Sequence, residues 1–229
     1  MRNILVPTDF SPNAFNALKY GIELFKKQRC TFYLLHVNAI PPYSGAGSSV
    51  KGSSGMLEEA LLKASRENLQ HLMIKIEHLG LNPKHTFVSH TTYDFFVDTV
   101  KREVENKHID LIIMGTKGAT GLKKATMGSN TGDVITKVKC PLLAVPEDTT
   151  YSRPIEIAFP TDYQIGYNLK VLDTLLKVVA MHNATLRILH MSKNGEDLSQ
   201  AQVDNKAFLN DYLKEVEHSF HMVTGTNLE

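Results

Sequence analysis

Short apolar runs alternate with stretches of helical periodicity from the first residues onward, and this alternation limits the fold more than any other feature of the chain. "NILVP" has strand character, and Ala14, Leu18, Ile22 and Phe25 then recur at helical spacing. Ser11 followed by Pro12 supplies an N-cap and a first-turn proline, so the first helix starts just beyond Asp9 and Phe10 and is expected to end near Gln28. "CTFYLLHV" is the second strand, and a helix over about Leu57 to His78 follows a Pro-, Gly- and Ser-rich loop from Ile40 to Gly55. "HTFVSH" reads as strand three, "YDFFVDTVKREVENK" as helix three and "IDLIIMG" as strand four. Ser129 to Lys139 reads as helix four and "PLLAVP" as strand five.

Strands separated by helices require right-handed crossovers, and these build a mainly parallel sheet covered on both faces. The expected architecture is therefore an α/β doubly wound domain with a five-stranded parallel sheet over residues 1–149. The remainder, 150–229, starts the pattern again. Pro7, Thr8 and Asp9 recur as Pro160, Thr161 and Asp162, and "YLLHV" recurs as "RILHM", which sets His36 against His190. Two matches in register read as a tandem duplication. The second copy continues through a helix from about Leu198 to Glu217 and a strand "HSFHMVT", but has no counterpart of residues 108–146; a partial copy without the glycine loop is expected.

Composition narrows the function classes. With 42% hydrophobic and 21% charged residues the chain is of ordinary globular type, and a net charge of +1 offers no global attraction for nucleic acid or an anionic membrane. Two cysteines, Cys30 and Cys140, are too few for a disulfide framework or structural zinc site, which points to a reducing compartment. No run approaches membrane-spanning length, so a cytoplasmic, soluble protein is expected. The ten histidines suggest no metal site: "HSFH" places its two rings on opposite faces of a strand, and no cysteine or carboxylate cluster completes a set. His36 and His190 read as strand-end core residues.

In an open parallel sheet, ligands collect beyond the carboxyl ends of the strands at the point where connections diverge. "PTD" and "MGTKG" both lie at such ends, after strands one and four. Gly115 and Gly118 permit positive φ and close approach to a ligand, while Gly128 leads the chain into a helix whose first amides lack intrahelical acceptors. With the hydroxyls of Ser129 and Thr131, that helix entry has the chemistry of a phosphate cradle. Asp9 at the opposite lip can accept from a ribose hydroxyl or hold a divalent cation on phosphates. Taken singly, the same features read as a turn with an N-cap and a solvated aspartate.

Gly115, Gly118, Gly128 and Ser129 spell GxxGx9GS, and together with "ILVPTDFS", a strand ending "LLHV" and a closing "VKCPLLAVP" they resemble the universal stress protein family in its tandem form. The resemblance covers the first unit and the beginning of the second. It implies an adenine nucleotide alpha hydrolase-like sheet of strand order 3-2-1-4-5 and, for members with this glycine pattern, ATP as ligand, with Mg2+ accompanying it. By position, Pro7, Thr8, Asp9 and the main chain at Val37 would hold adenosine above Met114 and Gly115. The phosphates would lie against Gly118, Gly128, Ser129, Asn130 and Thr131. A homodimer paired through strand five also follows.

Enzymatic alternatives fail on specific absences: there is no GxxxxGK[ST], no GxGxxG after strand one, no SGGxDS, and no carboxylate pair at the expected γ-phosphate. The expectation is a regulatory nucleotide-binding protein and not an enzyme, with slow hydrolysis or self-phosphorylation at Ser129 or Thr131 left open. The competing reading is a homotypic assembly scaffold with an empty glycine loop.

Overall fold

The computed structural model describes residues 2–40, 54–80, 82–116, 128–164, 166–192 and 197–224. The chain forms two compact units, Met1–Tyr151 and Ser152–Glu229. In the first, β1 (Arg2–Pro7), α1 (Pro12–Leu24), β2 (Cys30–Ala39), α2 (Ser54–Glu77), β3 (His85–Asp94), α3 (Phe96–Asn106), β4 (Leu111–Gly115), α4 (Ser129–Lys137) and β5 (Leu142–Val145) follow in order. The sheet is parallel with strand order β3-β2-β1-β4-β5, as the family resemblance implies.

Strands buried on both faces explain the continuous apolar runs. Ile4, Leu5, Val6, Leu34, Leu35, Ile112 and Ile113 are all buried. Leu5, Leu35, Ile112 and Met114 pack with Val100 of α3 and Val134 of α4 on one face. Full burial of each such side chain contributes about 1.5–3 kcal/mol.

Several boundaries differ from expectation. α1 stops at Leu24, because the Phe25 ring is drawn into the core and its amide closes the helix on Glu23 and Gly21 carbonyls. Tyr93 and Asp94 extend β3, whose ladder with β2 runs to Ala39↔Asp94. Asp94 then accepts from the Phe95 amide and from Arg102, which sets the start of α3 at Phe96. α4 ends at Lys137, where Val138 turns extended ahead of Pro141.

The second unit holds β6 (Glu156–Thr161), α5 (Leu169–His182), β7 (Thr185–Ser192), α6 (Gln200–Tyr212) and β8 (His218–Thr224). Its three-stranded parallel sheet has order β6-β7-β8. α6 is shorter at both ends than the expected span. Its start is fixed by a capping box between Ser199 and Gln202. Tyr163, Leu172, Val179, Leu186, Ile188, Leu209 and Leu213 form its core.

Candidate functional site

β1 lies between β2 and β4, so the connections leaving β1 and β4 diverge there. The β1–β4 ladder runs only through Ile4↔Leu111 and Leu5↔Ile112 and ends before either strand does. Beyond it the carboxyl ends of β1 and β4, paired outward with β2 and β5 but not with each other, flank a crevice, the position at which open α/β sheets take ligands.

One lip is the turn after β1. Thr8 Oγ1 accepts from the Phe10 amide at 3.0 Å and Asp9 Oδ1 accepts from the Ser11 amide at 3.0 Å. Ser11 Oγ in turn accepts from Ala14 N at 3.2 Å, capping α1. Phe10 adopts φ 64, a left-handed conformation that a non-glycine residue holds at a cost of about 1–3 kcal/mol. The surroundings enforce it: the Phe10 ring lies 4.5 Å from that of His36, whose Nδ1–H donates to the Thr8 carbonyl at 2.7 Å. For Asp9, burial raises the carboxyl pKa, but hydrogen bonds from the Ser11 side chain and backbone and from its own amide, with the nearby His36, outweigh this. The net pKa lies below the ordinary aspartate value, and the group is a carboxylate at neutral pH.

The other lip is the end of β4 and the start of α4. Gly128 is the N-cap of α4 and offers no side-chain acceptor. The first helical hydrogen bond runs from Gly132 N to Gly128 O at 3.0 Å, which leaves the amides of Ser129, Asn130 and Thr131 without helical partners. Thr131 is 3% exposed, and its hydroxyl is used structurally, donating to the Gly115 carbonyl at 3.0 Å. Its contribution to a ligand is therefore its main-chain N–H.

A cavity of about 220 Å³ lies between these lips. Pro7, Thr8, Asp9, Val37, Met114, Gly115, Gly128, Ser129, Asn130 and Thr131 all line it. Gly118 lies outside the described residues, as do Lys117, Lys123 and Lys124. The glycine argument changes in one respect. Gly80 is the positive-φ glycine among the described residues, and neither Gly115 nor Gly128 adopts that conformation; Gly128 has φ −57. Gly115 is required by close approach instead, since a Cβ there would lie 2.6 Å from Asn13 Oδ1 and 2.7 Å from its Cγ and Nδ2.

Asn13, His36 and Phe96 also line the cavity and were not singled out as site residues from the sequence. Among the described residues no group of three or more His, Cys, Asp or Glu side chains is placed to hold a metal. No described helix is long and apolar enough to cross a membrane.

The second unit builds the same turn. Thr161 Oγ1 accepts from Tyr163 N, Asp162 Oδ1 accepts from Gln164 N, Tyr163 has φ 58, and His190 Nδ1–H donates to the Thr161 carbonyl. Here the turn is occupied by its own unit. Gln202 and Asn205 of α6 donate to the carbonyls of Asp162 and Tyr163, at 2.8 and 2.7 Å, and the Tyr167 hydroxyl bonds Thr161 Oγ1 at 2.9 Å.

A 3-2-1-4-5 doubly wound sheet with a polar crevice between β1 and β4 defines the class to which the first unit belongs. The chain is a member of the universal stress protein family, whose model matches residues 1–146. It is 29% identical over 144 residues to universal stress protein MJ0531 of Methanocaldococcus jannaschii, a match covering 63% of this chain and 81% of the relative. It is likewise 29% identical over 157 residues to universal stress protein MJ0577 of the same organism, covering 63% and 94%. The solved MJ0577 structure superposes with a TM-score of 0.54 at 27% identity over 65% of this chain and 98% of that one. A universal stress protein structure from Archaeoglobus fulgidus shares the fold over 98% of this chain and 79% of its own length, with a TM-score of 0.70 at 21% identity.

Proposed function

We propose that the first unit binds ATP and that the protein acts as a nucleotide-responsive regulator and not as an enzyme. The observation that carries this reading is the N-terminus of α4, whose first three amides have no partner among the described residues and lie across a cavity of about 220 Å³ from the Asp9 turn. Backbone amides at a helix start, reinforced by the helix dipole, select phosphate oxygens. Pro7, Thr8 and Val37 offer apolar surface and main-chain groups to the adenosine, with Met114 and Gly115 beneath. Asp9 Oδ2, on the carboxylate whose Oδ1 is engaged by Ser11, accepts from ribose. The phosphates lie along Gly128, Ser129, Asn130 and Thr131. One carboxylate at this position also fits Mg2+ carried in with the phosphates, because that ion is commonly held by one or two carboxylates plus substrate oxygens. Among the described lining residues Asp9 is the one carboxylate, which favours retention of the triphosphate.

The second unit is read as a partial repeat of the first that takes no nucleotide, since α6 and Tyr167 satisfy the turn from within. Nucleotide released by heat from the purified protein should be ATP or ADP near one per chain, and Asp9→Ala should weaken ATP binding by about tenfold or more. A protein that carries no nucleotide and takes up none at millimolar ATP would refute the reading. Homodimerisation through the outer side of β5, an edge strand of the sheet, belongs to the same proposal. Sedimentation showing only monomer at high concentration would count against it.

A further inference from the structure

We infer that Asn13 is a positioning residue that, with Thr131, holds the successive carbonyls of Gly115 and Thr116 and thereby fixes the span between the two lips of the crevice. This inference rests on the nucleotide reading above. Two consecutive peptides are held at this point. In the Gly115–Thr116 peptide the Thr116 N–H donates to Val145 O at 2.9 Å and the Gly115 carbonyl accepts from Thr131 Oγ1 at 3.0 Å; the carbonyl of the next peptide, Thr116 O, accepts from Asn13 Nδ2. Asn13 stands in the first turn of α1, two residues beyond the Ser11 cap, and so moves with the Asp9 lip. Thr131 stands in the first turn of α4 and moves with the amide lip. Both lips are thus referenced to adjacent carbonyls at the end of β4.

The packing at this point is as specific as the hydrogen bonds. The near-equal distances of 2.6, 2.7 and 2.7 Å from a hypothetical Gly115 Cβ to Oδ1, Cγ and Nδ2 mean that the Asn13 amide presents its face to the glycine. Donation to the Thr116 carbonyl determines which amide atom is nitrogen. Oδ1 is then left buried with no hydrogen-bond partner among the described residues. A tether serving stability alone gains nothing from an unpaired buried acceptor, which is a cost to the fold. Asn13 keeps that cost while tying α1 to the Thr116 carbonyl just beyond β4.

Adenosine rests on the Asp9 turn and the end of β4 and stops short of α4, so it does not sense the position of the α4 amides, whereas ATP, which reaches from the ribose to those amides, does. Calorimetric titration of the full chain with ATP and with adenosine separates the two. Asn13→Ala should weaken ATP binding by about tenfold or more and change adenosine binding by less than about threefold, because misplacement acts only on the bridging ligand. Thr131→Val should give the same pattern, and Thr131→Ser, which keeps the donor, should recover most of the loss. The double variant Asn13→Ala/Thr131→Val should lose little more than the worse single variant, a non-additivity read with ATP alone. Equal weakening of both ligands, or unaltered ATP affinity in Asn13→Ala, would overturn the bracket while leaving ATP binding in place. A wild-type chain that binds neither ligand removes the nucleotide reading, and the bracket with it.

Discussion

Replacing Gly115 by alanine examines the tightest approach in the crevice. Gly115 does not use left-handed backbone, so alanine is conformationally acceptable, and reduced freedom of the unfolded chain would by itself stabilise by about 0.4–1 kcal/mol. Against this stands the new methyl group, 2.6 Å from Asn13 Oδ1 and 2.7 Å from Cγ and Nδ2. The amide must move. Overpacking costs about 1–3 kcal/mol, and loss of the bond to Thr116 O costs about 1 kcal/mol more, which leaves a net destabilisation of roughly 1–3.5 kcal/mol after the entropic gain. In an Asn13→Ala background the obstacle is gone, and the same substitution should be neutral or stabilising by up to about 1 kcal/mol. The assay is urea unfolding read by thiol labelling of Cys30 in a Cys140→Ser chain. Cys30 is buried in β2 and paired on both sides, so its labelling reports opening of the first unit separately from the second. A Gly115→Ala cost that is the same in both Asn13 backgrounds would refute the reasoning.

Two further predictions concern titrating groups. Burial pushes the Cys30 thiol up to about 11, against smaller opposing effects of Arg2 and the N-terminus, so a thiol reagent at pH 8 should modify half-buried Cys140 well before Cys30; equal rates in the native protein would contradict this. His85 has its pKa lowered by burial, which outweighs the hydrogen bond its Nε2–H donates to the Phe25 carbonyl. The unfolded state therefore binds more protons as pH falls. Stability contributed by neutral His85 is complete above 6.5 and is lost as pH drops through the lower folded value. His85→Gln should flatten the pH dependence of first-unit unfolding below pH 6.5, and an unchanged profile would assign that dependence to other groups.

What the sequence disclosed, and what it did not, follows from the range over which each signal acts. The strand–helix alternation and the Ser11–Pro12 cap are local, and they place β1, α1 and the turn between them correctly. Strand order entered through the resemblance, since pairing of β1 with β4 joins residues far apart in the chain. Tyr93 and Asp94 read as helix because their extended state is fixed by partners on β2 and not by neighbours in sequence. Asn13 left no trace at all. An asparagine in the first turn of a helix is unremarkable in composition, and its role depends on Gly115 and Thr116 approaching from another strand. Gly115 was read for both of glycine's uses, positive φ and close approach, which look identical in a sequence; the backbone angles remove the first, and the close neighbour is the Asn13 amide.

The two PTD turns carry this distinction further. Both have a threonine hydroxyl accepting from the amide two residues on, an aspartate doing the same, a left-handed aromatic residue and a histidine bonded to the threonine carbonyl. Yet in the second unit α6 side chains take the carbonyls of Asp162 and Tyr163, whereas among the described residues no such bond reaches the carbonyls of Asp9 and Phe10. The motif is therefore a device for reversing the chain over an aromatic–histidine stack, and it forms whether or not its polar surface is left available. What makes the first turn a candidate site is the presence opposite it of β4, the Gly115–Thr116 segment and the start of α4, whose first amides have no helical partner. The aspartate acquires a ligand-facing role only through that second lip, so the number of sites in such a chain follows the number of β4–α4 halves and not the number of PTD motifs.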